Sequence, residues 1–251
     1  MTLIFIFLFG LIIGSFLNCL IWRTYQGKSF IKGRSICPKC RHQLAWQDNI
    51  PILSFIMLSG KCRWCGKPIS WQYPLVELAT AILFVLAYFV ELRVAGCGLR
   101  VLAIARDWFF IAVLIIIFVQ DLRWQVILDR ITLPAMAAAL LFNLILGFSL
   151  GNLLISAIIG GSFFAIQYLV SRGRWIGGGD IRMGALMGLM LGWSVLLAIM
   201  FGYWLGAIAG IYLILSGQKK FSSKIPLGTF LAIGTIAALF WGEAILEIFN
   251  F

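Results

Sequence analysis

An all-α polytopic membrane protein of about eight transmembrane helices is what this sequence predicts, on three observations. Hydrophobic residues make up 62 % of the chain and charged residues only 12 %, about half the charged share of a soluble domain. The apolar residues are gathered into runs of bilayer-spanning length. The basic residues fall in alternate gaps between those runs.

The first run, Leu3 to Trp22, is long enough to cross a hydrocarbon core of about 30 Å; no positive charge precedes it and many follow. A cleaved signal would place basic residues first and carry a shorter apolar stretch. Residues 1–22 therefore read as an uncleaved first helix with its N-terminus outside. Further runs follow at about Pro74 to Val90, Val101 to Gln120, Leu133 to Phe148, Asn152 to Val170, Ile181 to Ser194, Val195 to Leu215 and Thr229 to Phe249. The stretch from Ile181 to Leu215 is unbroken, too long for one helix and suited to a tight hairpin of two, so a boundary is expected near Trp193-Ser194.

With that count the segments 23–73, 121–132, 171–182 and 216–228 lie inside. They hold 17 of the 20 Lys and Arg residues, leaving only Arg93, Arg100 and Arg106 elsewhere. Basic residues in short loops are retained on the cytoplasmic side. The net charge of +11 is thus a topology signal that needs no nucleic-acid partner; the partner it implies is the lipid bilayer, whose anionic headgroups attract such loops.

Gly14-Ser15-Phe16-Leu17-Asn18 puts small and polar residues inside the first span, where they allow close helix packing. The chain then enters its one sizeable polar segment, 23–73, too short to bury an adequate core unaided. It contains Cys37-Pro38-Lys39-Cys40 and Cys62-Arg63-Trp64-Cys65, two C-x-x-C knuckles separated by 21 residues. Each thiolate pair supplies half of a tetrahedral site, and the two together make a closed four-sulfur zinc site able to hold a small fold together. Disulfides or redox pairs are the competing reading, which a reducing cytosol disfavours. Residues 23–73 are accordingly expected to be a small cytoplasmic zinc-binding loop domain.

His42 adjoins a knuckle whose shell four sulfurs already fill, and reads as a surface residue. Cys19 and Cys97, in or beside spans, read as small buried apolar residues. The turn-rich stretch Trp46 to Ser54 suits either packing on the membrane surface or receiving a small cofactor. Glu77 opens the second span and reads as a helix-start residue rather than a catalyst. Arg106 and Asp107, near the outer end of the third span, read as a neutralising neighbour pair.

Two further acids lie at the inner boundary by independent counts of spans. Asp121 ends the third span. Asp180 follows Gly177-Gly178-Gly179, a segment that a foreign backbone can approach without side-chain hindrance. Taken alone, Asp180 could simply cap the next helix. Two carboxylates at one depth, however, are the minimum equipment of an aspartyl protease: one takes a proton from an attacking water while the other, protonated, polarises the scissile carbonyl. Such a pair titrates as a unit. His42 is the only histidine, which excludes a Ser-His-Asp triad and an H-E-x-x-H zinc protease.

On these residues the chain resembles the type IV prepilin peptidases, membrane aspartyl proteases of the G-x-G-D kind. Gly14 to Asn18 looks like the family's first-span motif, the two C-x-x-C knuckles with Asp48-Asn49-Ile50-Pro51 between them like its zinc loop, and Tyr73-Pro74-Leu75-Val76-Glu77-Leu78 follows in place. Asp121 and Asp180 match the two catalytic aspartates, with Gly177, Gly179 and Arg182 supporting the second. Ile225-Pro226-Leu227-Gly228 resembles the last cytoplasmic motif. Two departures stand beside the match: Ile127-Leu128-Asp129 where Ile-Pro-Asp is usual, and Arg182 where a lysine is usual.

The resemblance implies a multi-pass protein of the cytoplasmic (inner) membrane, with the active site at the cytoplasmic face. Its implied substrates are prepilins or pseudopilins carrying a short basic leader before a hydrophobic helix. Members with the cysteine loop typically also methylate the new N-terminus from S-adenosylmethionine, so 23–73 would be the methyltransferase region and 74–251 the peptidase core. No glycine-rich nucleotide signature marks a donor site, and its residues are not identified. The alternatives are a peptidase without methyltransferase activity, or a proton-coupled transporter, for which acids spread through mid-membrane and a repeat of two halves would be expected.

Overall fold

A computed structural model describes residues 1–29, 33–94, 98–218 and 225–248, without the side chains of 93 and 94. Cys97 lies outside the described residues, as do Lys32, Lys219, Lys220 and Lys224 of the inward loops. The described chain is helical and forms two compact units, residues 1–93 and 94–251.

The first unit holds α1 (Thr2–Tyr25), the short α2 (Leu53–Met57) and α3 (Gln72–Val94). Helices α1 and α3 meet where α1 has no side chains: a Cβ on Gly10 would lie 2.5 Å from the Ala81 Cα, and one on Gly14 2.6 Å from the Glu77 Cα. This four-residue glycine spacing lets the backbones touch, the packing device of helices in lipid. Asn18 fastens the same seam, donating to the Tyr73 carbonyl (3.1 Å) and accepting from Gln72 Nε2 (3.1 Å). At the end of α1 the buried Arg23 donates to the carbonyls of Ser29, Gly33 and Arg34. Glu77 does not start its helix: it is in the second turn of α3, buried, and accepts the Ile52 N–H at 2.8 Å. It therefore anchors the segment between the knuckles.

The second unit contains α4 (Arg100–Trp124), α5 (Asp129–Ile145), α6 (Leu150–Ser171), α7 (Gly178–Leu191), α8 (Val195–Leu215) and α9 (Leu227–Ile248). Helices α6 and α7 touch backbone to backbone at Gly160 and Gly184, and α8 and α9 at Gly202 and Gly234. A core of Phe110, Leu114, Ile117, Phe164, Met183, Leu186, Met187 and Leu231 fills the interior. Asn143 of α5 donates to the carbonyls of Leu189 (2.6 Å) and Met190 (3.2 Å), serving the last turn of α7, where carbonyls lack helical partners.

Six helical stretches among the described residues are long and apolar enough to cross a membrane, fewer than the eight expected. The difference has two causes. Helix α5 has 17 residues and α7 only 14, about 25 and 21 Å at 1.5 Å per residue. Helices α7 and α8 are separated only by a turn at Gly192–Ser194, where Gly192 takes φ +57°, and count as one stretch. The break falls at the expected place, but the two do not form a tight hairpin: α7 lies along α6 and α5, and α8 along α9.

Candidate functional site

The cysteine knuckles are two copies of one turn. Cys37 N–H donates to the His42 carbonyl and Cys62 N–H to the Lys67 carbonyl, each at 2.9 Å. Arg41 and Gly66, each four residues past the first cysteine of its knuckle, both take positive φ, +59° and +66°. Antiparallel bridges Ile36–Gln43 and Lys61–Pro68 close the two turns. All four Sγ atoms consequently lie within 4.8 Å of one another, close to the separation of about 3.8 Å set by a tetrahedral site with 2.3 Å zinc–sulfur bonds. The sulfurs are unbridged. Cys37, Cys40, Cys62 and Cys65 thus form a cluster able to bind a metal ion. His42 is exposed and lies against Trp64, with ring centroids 3.9 Å apart and planes tilted by 33°. Asp48, between the knuckles, pairs with Arg63 at 2.9 Å.

In the second unit, Asp121 and Asp180 are both buried, at 6 and 9 % exposure. Asp121 sits in the last turn of α4. Its Oδ2 accepts the Thr229 N–H at 2.7 Å and the Thr229 hydroxyl at 3.2 Å, with Gly228 N–H a further donor. These donors belong to the first turn of α9, whose unpaired N–H groups and dipole favour an anion. Asp180 is in the first turn of α7 and its Oδ2 accepts the Gly177 N–H at 2.9 Å. The capping reading of Asp180 is therefore correct as far as it goes. It is incomplete, because the two carboxylates lie within electrostatic reach of each other, and neither makes an ion pair among the described residues.

Ile127 holds the two segments in register. A Cβ on Gly179 would lie 3.0 Å from the Ile127 Cβ, and one on Gly228 3.0 Å from the Ile127 Cδ1 and 3.1 Å from the Asp121 Cγ. Glycine at 179 and 228 is what lets the α7 and α9 starts close around Asp121 and Ile127. Gly177 is the residue before α7. Arg182 does not contact either carboxylate: its Nη2 pairs with Asp129 Oδ1 at 2.8 Å, at the start of α5.

Thr229, Gly228 and Ile127 escaped identification as site residues on chemical grounds. A glycine and a hydroxyl residue opening an apolar helix after Pro226 is a helix-start signal, which says nothing about whose oxygen the free N–H groups will bind.

Two family models match the chain: Bacterial Peptidase A24 N-terminal domain over residues 8–90 and Type IV leader peptidase family over residues 108–242. The chain is 36 % identical over 271 residues to a prepilin leader peptidase/N-methyltransferase of Aeromonas hydrophila, covering 96 % of this chain and 91 % of the relative. It is 36 % identical over 252 residues to one from Bacillus subtilis (97 and 96 %) and 39 % identical over 204 residues to one from Klebsiella pneumoniae (76 and 86 %). No solved structure matches. On two family models that together take in most of its helices, and on relatives matched over nearly their full length, the chain belongs to the type IV leader peptidase family.

Proposed function

We propose that this chain is a membrane aspartyl endopeptidase that removes the basic leader of type IV prepilins or pseudopilins at the cytoplasmic membrane face, with Asp121 and Asp180 as its catalytic pair. The observation that carries the reading is the pair itself: two buried carboxylates from different helices, within electrostatic reach, served by backbone and hydroxyl donors and by no cation among the described residues. One carboxylate, ionised, takes a proton from water, whose oxygen adds to the scissile carbonyl carbon. The other donates its proton to the carbonyl oxygen. Collapse of the tetrahedral adduct breaks the C–N bond: the departing amine takes the proton first removed from water, and one hydroxyl of the adduct returns a proton to the carboxylate that gave one up, restoring the pair. The N–H groups of Gly177 and Thr229 hold the two carboxylates in place without discharging them. Gly178, beside which a Cβ would meet no heavy atom within 4 Å, leaves room next to Asp180 for an extended peptide.

The orientation proposed has the N-terminus outside and the inward loops, with the dyad, at the cytoplasmic face, as the distribution of basic residues predicts. The four cysteines would hold zinc as a structural ion in the loop 23–73, with 74–251 as the peptidase core. Purified protein should then contain about one zinc per chain, and Cys62→Ser should lower that content by removing one donor of a closed shell; intact zinc in the variant would contradict the assignment.

Methylation of the freed N-terminus is proposed from the names of the relatives and assigned to 23–73. S-adenosylmethionine, when bound, supplies the methyl group. A cavity of about 400 Å³ lined by Trp22, Gln26, Lys28, Ile36, Pro38 and Arg41 lies in the first unit. Its two cations and lack of a carboxylate do not fit a donor carrying a sulfonium and an ammonium, so no residue there is given that role.

The test is co-expression with a prepilin followed by intact mass of the product, which reads cleavage and the gain of about 14 Da for one methyl group together. Asp121→Asn and Asp180→Asn should each abolish cleavage while the protein stays folded in the membrane. Near-normal processing by either variant would overturn the pair.

A further inference from the structure

Five arginines, at 123, 130, 172, 174 and 182, belong to the end of the second unit that bears the dyad, and among the described residues Asp129 is the exposed carboxylate there. The other acids of this unit are the buried Asp107, Asp121 and Asp180, and Glu243 and Glu247 at the far end of α9. Asp129 is held by Arg182 through a single 2.8 Å contact, with the two side chains 48 and 40 % exposed. That contact is incomplete as well as exposed: the Arg182 Nε–H is buried without an acceptor. A single-point ion pair open to solvent contributes little and is readily exchanged. Its place is set by the dyad's own supports. Asp129 follows by two residues the Ile127 that packs on Gly179, and Arg182 follows Asp180 by two.

Resting on the peptidase reading above, we propose that Asp129 is the specificity residue that receives a lysine or arginine of the substrate's leader, with Arg182 occupying the carboxylate until the substrate cation displaces it. A single-span substrate with a cytosolic N-terminus carries its basic residues on that side of the membrane. An end of the unit that carries five arginines repels such a leader except where a carboxylate is offered.

The test uses the full-length protein in phospholipid vesicles. The probes are synthetic single-span peptides with an apolar helix of about 20 residues and a leader carrying lysine, glutamine or glutamate at one position. With the lysine leader, Asp129→Asn should raise KM about tenfold and leave kcat within roughly twofold, the signature of lost ground-state binding. Arg182→Gln should lower KM about threefold, because it removes the competitor. Asp129→Lys should cleave the glutamate leader better than the lysine leader, the reverse of wild type; a misfolded variant cannot produce that reversal. Equal KM for lysine and glutamine leaders in wild type, equal losses for Asp129→Asn and Arg182→Gln, or no reversal by Asp129→Lys would each overturn the proposal while leaving the peptidase reading intact. Failure of wild type to cleave any probe in an Asp180-dependent way would overturn both.

Discussion

Helix α4 carries a buried aspartate toward each end, and the two are treated differently. Asp107 is 1 % exposed and its Oδ1 takes both Nε and Nη2 of Arg106 at 2.8 Å. Arg106 in turn reaches Asn143 Oδ1 at 3.5 Å, and Asn143 holds the end of α7. Asp121, 14 residues on, has no cation; it meets the start of α9 and, electrostatically, Asp180 at the start of α7. The same two helices, α4 and α7, are thus tied at one end by a neutralised cluster and carry an un-neutralised pair at the other. Burial alone does not distinguish these carboxylates. A charge partner turns one into a fastening; among the described residues the others have none.

The sharpest way to break this comparison is to remove the carboxylate charge at each end. Asp121→Asn or Asp180→Asn should cost cleavage more than about a thousandfold with thermal stability nearly unchanged. Asp107→Asn should do the reverse, since it takes the counter-charge from the partly buried Arg106. A stability loss of roughly 2–4 kcal/mol is expected, with cleavage by the folded fraction retained. Equal effects at the two ends, by thermal melt in detergent and cleavage assay, would erase the distinction.

Smaller changes sharpen the account of the Asp121 end. Gly228→Ala sets a Cβ 3.1 Å from the Asp121 carboxyl and 3.0 Å from Ile127; a displacement of a few tenths of an ångström should reduce kcat by about 10- to 100-fold. Thr229→Val keeps the 2.7 Å N–H bond and loses the hydroxyl's 3.2 Å bond to Asp121 together with its longer 3.5 Å bond to the Phe118 carbonyl, so a loss of roughly five- to tenfold is expected. Should the valine variant prove the worse of the two, the backbone donor is not the principal support of Asp121.

What could be read in the sequence followed from how rare each residue is in its setting. Four cysteines in two C-x-x-C pairs have few uses besides a shared metal site, and the structure brings them together. Asp121 and Asp180 are acids at the ends of apolar runs, where an acid is costly. Arg106 next to Asp107 was legible as a neutral pair because the two are adjacent. What stayed hidden depends on packing between distant segments: the bond from Thr229 spans 108 residues to Asp121, and Ile127 looks like any apolar loop residue until Gly179 and Gly228 close on it. Among the described residues each of the eight apolar runs corresponds to a helix; the stretches long enough to cross a membrane are fewer because composition does not show that α5 stops at 17 residues and α7 at 14, or that α7 leads into α8 through the Gly192–Ser194 turn.

The claim that Asp121 and Asp180 act as one unit is tested most directly by a double-mutant comparison of cleavage rates, with Asp121→Asn, Asp180→Asn and the double variant assayed on one prepilin substrate. The result predicted is that the double variant is no slower than either single one, since each substitution alone already disables the shared proton exchange. Rates that multiply, with the double variant slower by the product of the two single effects, would mean that the carboxylates work independently, and would contradict the assignment of a catalytic pair.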